Sequence, residues 1–138
     1  MICGQLLRMS ENPMTEEIIR LAGRGDGMTA SGRFVAGTAP GDRVDFSTTP
    51  PEIHQGPHHR AAACRHYGQC GGRQLQHVDD ASYALWARDR ILHALSQHQI
   101  TPRDIMATHL SPPAARRRVA LRARRMGKKL LLGFNADA

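Results

Sequence analysis

Aromatic residues are scarce in this chain: 4% of its 138 residues, as one tryptophan, two tyrosines and three phenylalanines. A core with so few rings must be built from Leu, Ile, Val and Ala, and stays modest. No apolar run approaches the roughly 18 residues of a membrane span. The N-terminus lacks the charged-then-apolar pattern of a secretory signal. Cysteine is also rare, with three in all, an odd number that does not read as a disulfide framework. A reducing cytoplasm is the expected compartment. Familiar catalytic spacings are missing too. The histidines show no i, i+4 pairing of the kind that holds zinc on a helix, and no Ser-His-Asp or Cys-His arrangement is legible.

One further absence is local. From Arg116 to Lys129 there is no acidic residue, while Arg116, Arg117, Arg118, Arg122, Arg124, Arg125, Lys128 and Lys129 all fall there. The acids gather earlier, at Glu16, Glu17, Asp26, Asp42, Asp45, Asp79 and Asp80. The formal charge is +7 and the isoelectric point near 10.3. That balance suits a polyanion, with nucleic acid ahead of an acidic membrane surface. Arginine binds phosphate in a fork and stacks on bases, which favours RNA. Arg116, Arg117, Arg118, Arg122, Arg124, Lys128 and Lys129 are therefore the candidate RNA-binding residues. The bland reading of the same run is a solubilising face, or a strand that packs on another part of a larger protein.

Residues 1–13 carry little pattern and read as a loose tail. From Met14 short strand-like pieces alternate with glycines: Thr15–Leu21, Met28–Ala30, Arg33–Val35 and Arg43–Phe46. Strands this short and closely spaced suggest a small β-barrel. Gly23-x-Gly25-x-Gly27 has no helix start behind it and reads as turn chemistry, not a phosphate loop. Arg24-Gly25-Asp26 spells an adhesion tripeptide by coincidence. Pro40-Gly41-Asp42 is a natural turn. Residues 47–60, broken by Pro50, Pro51 and Pro57, read as a linker.

Asp79 and Asp80 offer N-caps for a helix running to about Ser96. Ala81, Ala84, Leu85, Ile91, Leu92 and Leu95 fall on one side of it, the expected inward side, with the Arg88 stem along the core boundary. Trp86 lies opposite with Tyr83, Arg90, His93 and Gln97. That face suits stacking on a base or, the preferred expectation, packing on protein outside this chain. Val119, Leu121 and Ala123 alternate with polar neighbours, Met126-Gly-Lys-Lys129 turns and Leu130–Leu132 returns. The tail is thus expected to form a β-hairpin with an arginine-bearing face turned to solvent or phosphate.

Between linker and helix lies Cys64-Arg-His-Tyr-Gly-Gln-Cys70-Gly-Gly-Arg73-Gln-Leu-Gln-His77. Its two cysteines, six positions apart with a Gly-Gly turn after the second, look like a metal-cluster loop. Three readings stay open. An iron–sulfur site needs more thiolates than these. A zinc site would draw on Cys64, Cys70 and His66 or His77, although the spacing is wider than the usual knuckle. The third is a vestigial loop with two free thiols.

Taken together these pieces resemble the N-terminal portion of the bacterial SAM-dependent RNA (uracil-5-)-methyltransferases. Ile19-Arg-Leu-Ala-Gly23-Arg-Gly25-Asp-Gly27, with Phe34-Val35 and Ala39-Pro-Gly-Asp-Arg-Val44, is similar to the family's TRAM domain, an OB-like RNA-binding barrel. Cys64-x5-Cys70-Gly-Gly-x-Gln74-Leu-Gln-His77, followed by Tyr83, resembles its iron–sulfur loop and the next helix. Ser111-Pro112, Arg116–Arg118 and Leu132-Gly-Phe134 resemble the first hairpin of its central domain. The resemblance implies an α+β fold with a tail at 1–13, a TRAM-like barrel and linker at 14–60, and the cysteine loop, helix and start of a truncated central domain at 61–138. It also implies an rRNA partner and SAM as methyl donor.

Two departures accompany it. The family's third cluster cysteine is Arg73 here and no fourth follows, so Cys64 and Cys70 are expected to form a degenerate site without an intact [4Fe–4S] cluster. No strand, glycine-rich turn and helix long enough to hold SAM is present, so these 138 residues are not expected to transfer a methyl group alone. The expected role is RNA binding. The rival expectations are a stand-alone RNA-binding protein and a non-functional gene fragment.

Overall fold

The computed structural model describes residues 14–70, 75–112, 115 and 117–134. The tail expected at 1–13, and Arg73 and Arg116, lie outside them. The elements run β1 (Thr15–Leu21), β2 (Gly27–Thr29), β3 (Phe34–Val35), β4 (Arg43–Asp45), β5 (Glu52–His54), α1 (Asp80–Gln97), β6 (Arg122–Met126) and β7 (Lys129–Gly133). The first five strands form an antiparallel sheet in the order β3-β2-β1-β4-β5, curled into a half-barrel, and β6 pairs with β7. The α+β class and the sequence of small barrel, helix and hairpin are as expected.

Strand β1 sets the sheet. Glu16 and Ile18 point inward between exposed neighbours, the period of a half-buried strand. Continuing that period would bury Arg20. A bulge between Ile18 and Arg20 shifts the register by one, so that Arg20 pairs with Met28 on the outside and Leu21 is buried. The β1–β2 turn closes through Ala22 N–H to Asp26 O at 2.7 Å, with Gly25 at φ 97°. It is the turn chemistry expected of the glycine run. Gly27 answers to a different constraint, since a Cβ there would collide with the Thr38 hydroxyl and the Ile18 side chain. Ala39–Asp42 is a type II turn in outline, with Pro40 second, Gly41 third at φ 81°, and Asp42 N–H donating to Ala39 O at 3.1 Å.

The expected linker at 47–60 contains a strand. Glu52–His54 pairs with β4, placing Ile53 opposite Val44. Pro50 and Pro51 precede it, which an edge strand tolerates because its outer side donates no ladder hydrogen bond.

The buried core is small: Ile18, Leu21, Ala39, Val44 and Val78. Leu75, Tyr83 and Trp86 pack against Leu21, Ala39 and Val78. Asp79 caps α1, its carboxylate accepting from Ser82 N–H at 2.7 Å. The helix packs on the core through Tyr83 and Trp86, while of the expected inward side Ala84, Leu92 and Leu95 are half-buried. No α1 residue is fully buried, and Leu85 and Ile91 on the expected inward side are each 58% exposed. Trp86 instead donates its indole N–H to Ala22 O at 2.8 Å and lies on the sheet. Trp86 is thus packed within this chain, and its expected partner outside the chain is replaced by the β1–β2 turn. An indole combines a large apolar surface with a donor that satisfies a turn carbonyl, which the shorter leucines cannot do. Thr108 donates to Ala84 O at 3.1 Å, holding the segment after the helix alongside it.

Three carboxylates are held below their ordinary range. Ser31 and Thr29 hydroxyls, with Arg33, lower Glu16 from 4.5. Ser47 lowers Asp45 from 3.8. Burial opposes ionisation of Asp79, but hydrogen bonds from Ser82 and His58 outweigh it and lower it from 3.8. Depressed carboxylates stabilise the fold above their unfolded values and lose that contribution as pH falls through the folded ones. The melting temperature, followed by circular dichroism, should be flat from pH 7 to about 5 and fall below about 4. Trp86→Ala should cost about 2 kcal/mol or more, whereas Ile91→Ala should cost under about 0.5 kcal/mol. Equal losses would return the leucine face to the interior.

Candidate functional site

The basic hairpin follows directly from its turn. Met126 pairs with Lys129, leaving the two-residue loop Gly127-Lys128, with Gly127 at φ 61°. Glycine at the first loop position is the II′ signature, whose twist matches paired strands. The register sorts the side chains. Arg122, Arg124 and Lys129 share one face with Met126 and Leu131, while Arg125 shares the other with Ala123, Leu130 and Leu132. Every residue of both strands is exposed except Gly133, which is half-buried.

Arg117 and Arg118 are exposed in the segment leading in. The ion pairs among the described residues join Arg33 to Glu16, His58 to Asp79, His59 to Asp42 and Arg60 to Asp80. None involves the tail. Arg117, Arg118, Arg122, Arg124, Lys128 and Lys129 are therefore exposed cations without an ion pair among the described residues, an arrangement suited to phosphate contact.

The cysteine loop is an ordered segment stitched to the sheet. Tyr67 N–H donates to Cys64 O at 3.0 Å, and Cys70 N–H to His66 O at 3.2 Å. Gln76 accepts from Cys64 N–H through its side-chain oxygen at 3.1 Å. Arg60 N–H donates to His77 O at 2.7 Å, and an isolated bridge joins His59 to Val78.

At the centre is His77, 1% exposed. Its Nε2 is 3.0 Å from Thr38 O, a pure acceptor, so Nε2 carries the proton. Nδ1 of the neutral ring then accepts from the Tyr67 hydroxyl. Burial pushes the Tyr67 phenol above its usual 10.0. The His59 ring lies 5.2 Å from that of His77. Its Nδ1 donates to Asp42 Oδ2 at 2.7 Å. Asp42 is fully buried and also accepts from Ala39 N–H at 2.8 Å and Gly56 N–H at 2.7 Å.

This geometry bears on the readings of the loop. Both ring nitrogens of His77 are engaged in hydrogen bonds, and His66 accepts from Arg65 through Nε2 at 3.0 Å. Among the described residues no three His, Cys, Asp or Glu side chains are placed to hold a metal. Cys64 and Cys70 are half-buried free thiols. Two thiolates do not meet the four that a [4Fe–4S] cluster takes, so the described residues by themselves do not fit the group. The Asp42–His59 and His77–Tyr67 pairs are part-buried and act as a clamp between loop and sheet.

Asp42, His59 and Tyr67 are the residues that spacing alone misses. The turn around Asp42 is legible, but its bonds to residues 14 and 17 positions away depend on the folded sheet.

Comparison with known proteins adds the remaining finding. The chain is 43% identical over 120 residues to an uncharacterized RNA methyltransferase of Zymomonas mobilis, covering 87% of this chain and 30% of that protein. It is 39% identical over 118 residues to one of Caulobacter vibrioides, covering 78% and 28%. A 23S rRNA (uracil(1939)-C(5))-methyltransferase of Pseudomonas putida is 29% identical over 140 residues, covering 88% and 31%. The chain thus spans about three tenths of the length of these relatives. No family profile matches it, and no solved structure does.

If hydrogen bonds hold the loop, Tyr67→Phe should lower stability by about 1 kcal/mol and speed the reaction of Cys64 and Cys70 with a thiol reagent. Iron and zinc chelators should change neither quantity in the parent protein. A chelator-induced fall in melting temperature would overturn the clamp.

Proposed function

We propose, from the premise that this chain is homologous to part of the RNA methyltransferases, that it is the RNA-contacting portion of a uracil-C5 methyltransferase acting on ribosomal RNA. The observation that carries the reading is the cationic hairpin. Arg122, Arg124 and Lys129 share one exposed face without an acidic neighbour. Phosphate oxygens are the natural ligand of such a face, and most of the affinity of basic proteins for RNA comes from releasing the counterions they displace.

Within the reading, residues 14–60 are a TRAM-like barrel that holds RNA against the sheet, and residues 61–138 open a central domain whose hairpin extends the contact. The protein works in the cytoplasm, where ribosomal RNA is its partner. SAM supplies the methyl group in methyltransferases of this kind. α1 starts from the Asp79 cap and not from a glycine-rich turn.

The purified chain should bind a single-stranded RNA, and log Kd should rise steeply with log salt. Each phosphate contact adds about 0.7 to the slope. Replacing Arg122, Arg124 and Lys129 with alanine should lower that slope by about 2 and leave the melting temperature unchanged. Binding indifferent to salt and to these three cations would overturn the proposal.

A further inference from the structure

The outer face of the half-barrel carries a largely exposed ring. Phe34 is 63% exposed. Most other rings are engaged, Phe134 in the tail being 45% exposed. Phe46 is covered by the Arg33 guanidinium at 4.5 Å, Trp86 by Arg90 and Tyr83, and Tyr67 bonds His77. Among the described residues Phe34 has no ring or cation contact of this kind. Phe34 stands on the edge strand β3, where its ring face is open to a flat partner.

Its neighbours say what that is. Phe34 pairs with Met28, and Met28 with Arg20, so the three side chains stand in one row across β3, β2 and β1. Arg20 rests on the Met28 sulfur, Nη2 to Sδ 3.3 Å. The row therefore runs from a ring through a polarisable thioether to a guanidinium, over about 10 Å or two strand spacings. Arg20 is on this face only because of the bulge after Ile18. Arg43 on β4 stands on the same side, opposite Glu17 in register, and neither Arg20 nor Arg43 forms an ion pair among the described residues. A ring in one row with Arg20, with Arg43 further along the same face, complements a flat base with a phosphate beside it.

We infer that the Arg20–Met28–Phe34 row is a stacking platform for an unpaired base of single-stranded RNA, with Arg20 and Arg43 taking the flanking phosphates. This rests on the reading of the chain as RNA-binding, and deepens it by assigning the ligand's form. A duplex buries its base faces in its own stack and offers the platform nothing but phosphate. The hairpin supplies charge, whereas this row supplies contact with a base.

The test uses the full chain with oligouridine, and a duplex RNA of equal length, in filter-binding titrations at several salt concentrations. Phe34→Ala should weaken oligouridine binding about tenfold, within the 1–3 kcal/mol of one stacked base, and barely alter duplex binding. Phe34→Leu keeps apolar bulk without the ring and should weaken it similarly, whereas Phe34→Trp should restore it. The salt slope should stay unchanged in the Phe34 variants and fall by about 0.7 in Arg20→Gln. Oligouridine binding unaffected by Phe34→Ala but weakened by loss of the hairpin cations would overturn the platform and leave the RNA reading standing. Equal weakening for duplex and single strand would overturn stacking. No binding of either RNA by the parent chain would overturn both.

Discussion

The fold depends on one buried carboxylate. Asp42 sits at the end of a Pro-Gly turn, fully shielded from water, and gathers Ala39 N–H, Gly56 N–H and His59 Nδ1–H. Desolvating a carboxylate is expensive unless its lone pairs are satisfied. That expense makes the three donors interdependent. The turn must close for Ala39 to reach, the chain after β5 must come back for Gly56, and His59 must sit tilted beside His77. A core of five small apolar residues does not impose such precision by itself. Directional bonds do it here, and they carry it onward through His77 to Thr38 and Tyr67.

The consequence for the cysteine loop is that its shape has a source other than a metal. Residues 64–70 are held by Tyr67, by Gln76 and by their own backbone turns. A segment whose sequence reads as a cluster-binding relic is thereby retained as a clasp between sheet and helix. The charged end of the molecule follows another logic. There the II′ turn and the strand register, not a core, determine which cations stand together, and the face they form is free to meet a polyanion.

Much of this was legible in advance where chemistry is local. The glycine and proline turns, the Asp79 cap and the hairpin loop each rest on residues within four positions of one another, and each stands where the sequence places it. The docking side of α1 was not legible. Helical periodicity says that Leu85 and Ile91 share a face, but whether that face or Trp86 meets the sheet depends on the carbonyl of Ala22, 64 residues away. Likewise β5 was hidden among prolines, because its pairing with β4 is a property of the partner strand. Of the candidate ligands, His77 reads as a metal donor from its neighbours in sequence and becomes a buried structural residue through Thr38, 39 positions earlier. The cations of the tail were legible as a group, while their division between two faces needed the register.

Trp86 is the single tryptophan of the chain, and its position turns it into an optical gauge. The indole lies between Tyr83 at 5.7 Å and the Arg90 guanidinium at 5.0 Å, with its N–H bound to a carbonyl of the sheet. Its emission spectrum therefore reports one event, the seating of the helix on the half-barrel, free of background from any other indole. Lifting the helix would expose the ring to water and shift the emission to the red. The molecule carries its own label for the joint between its two halves.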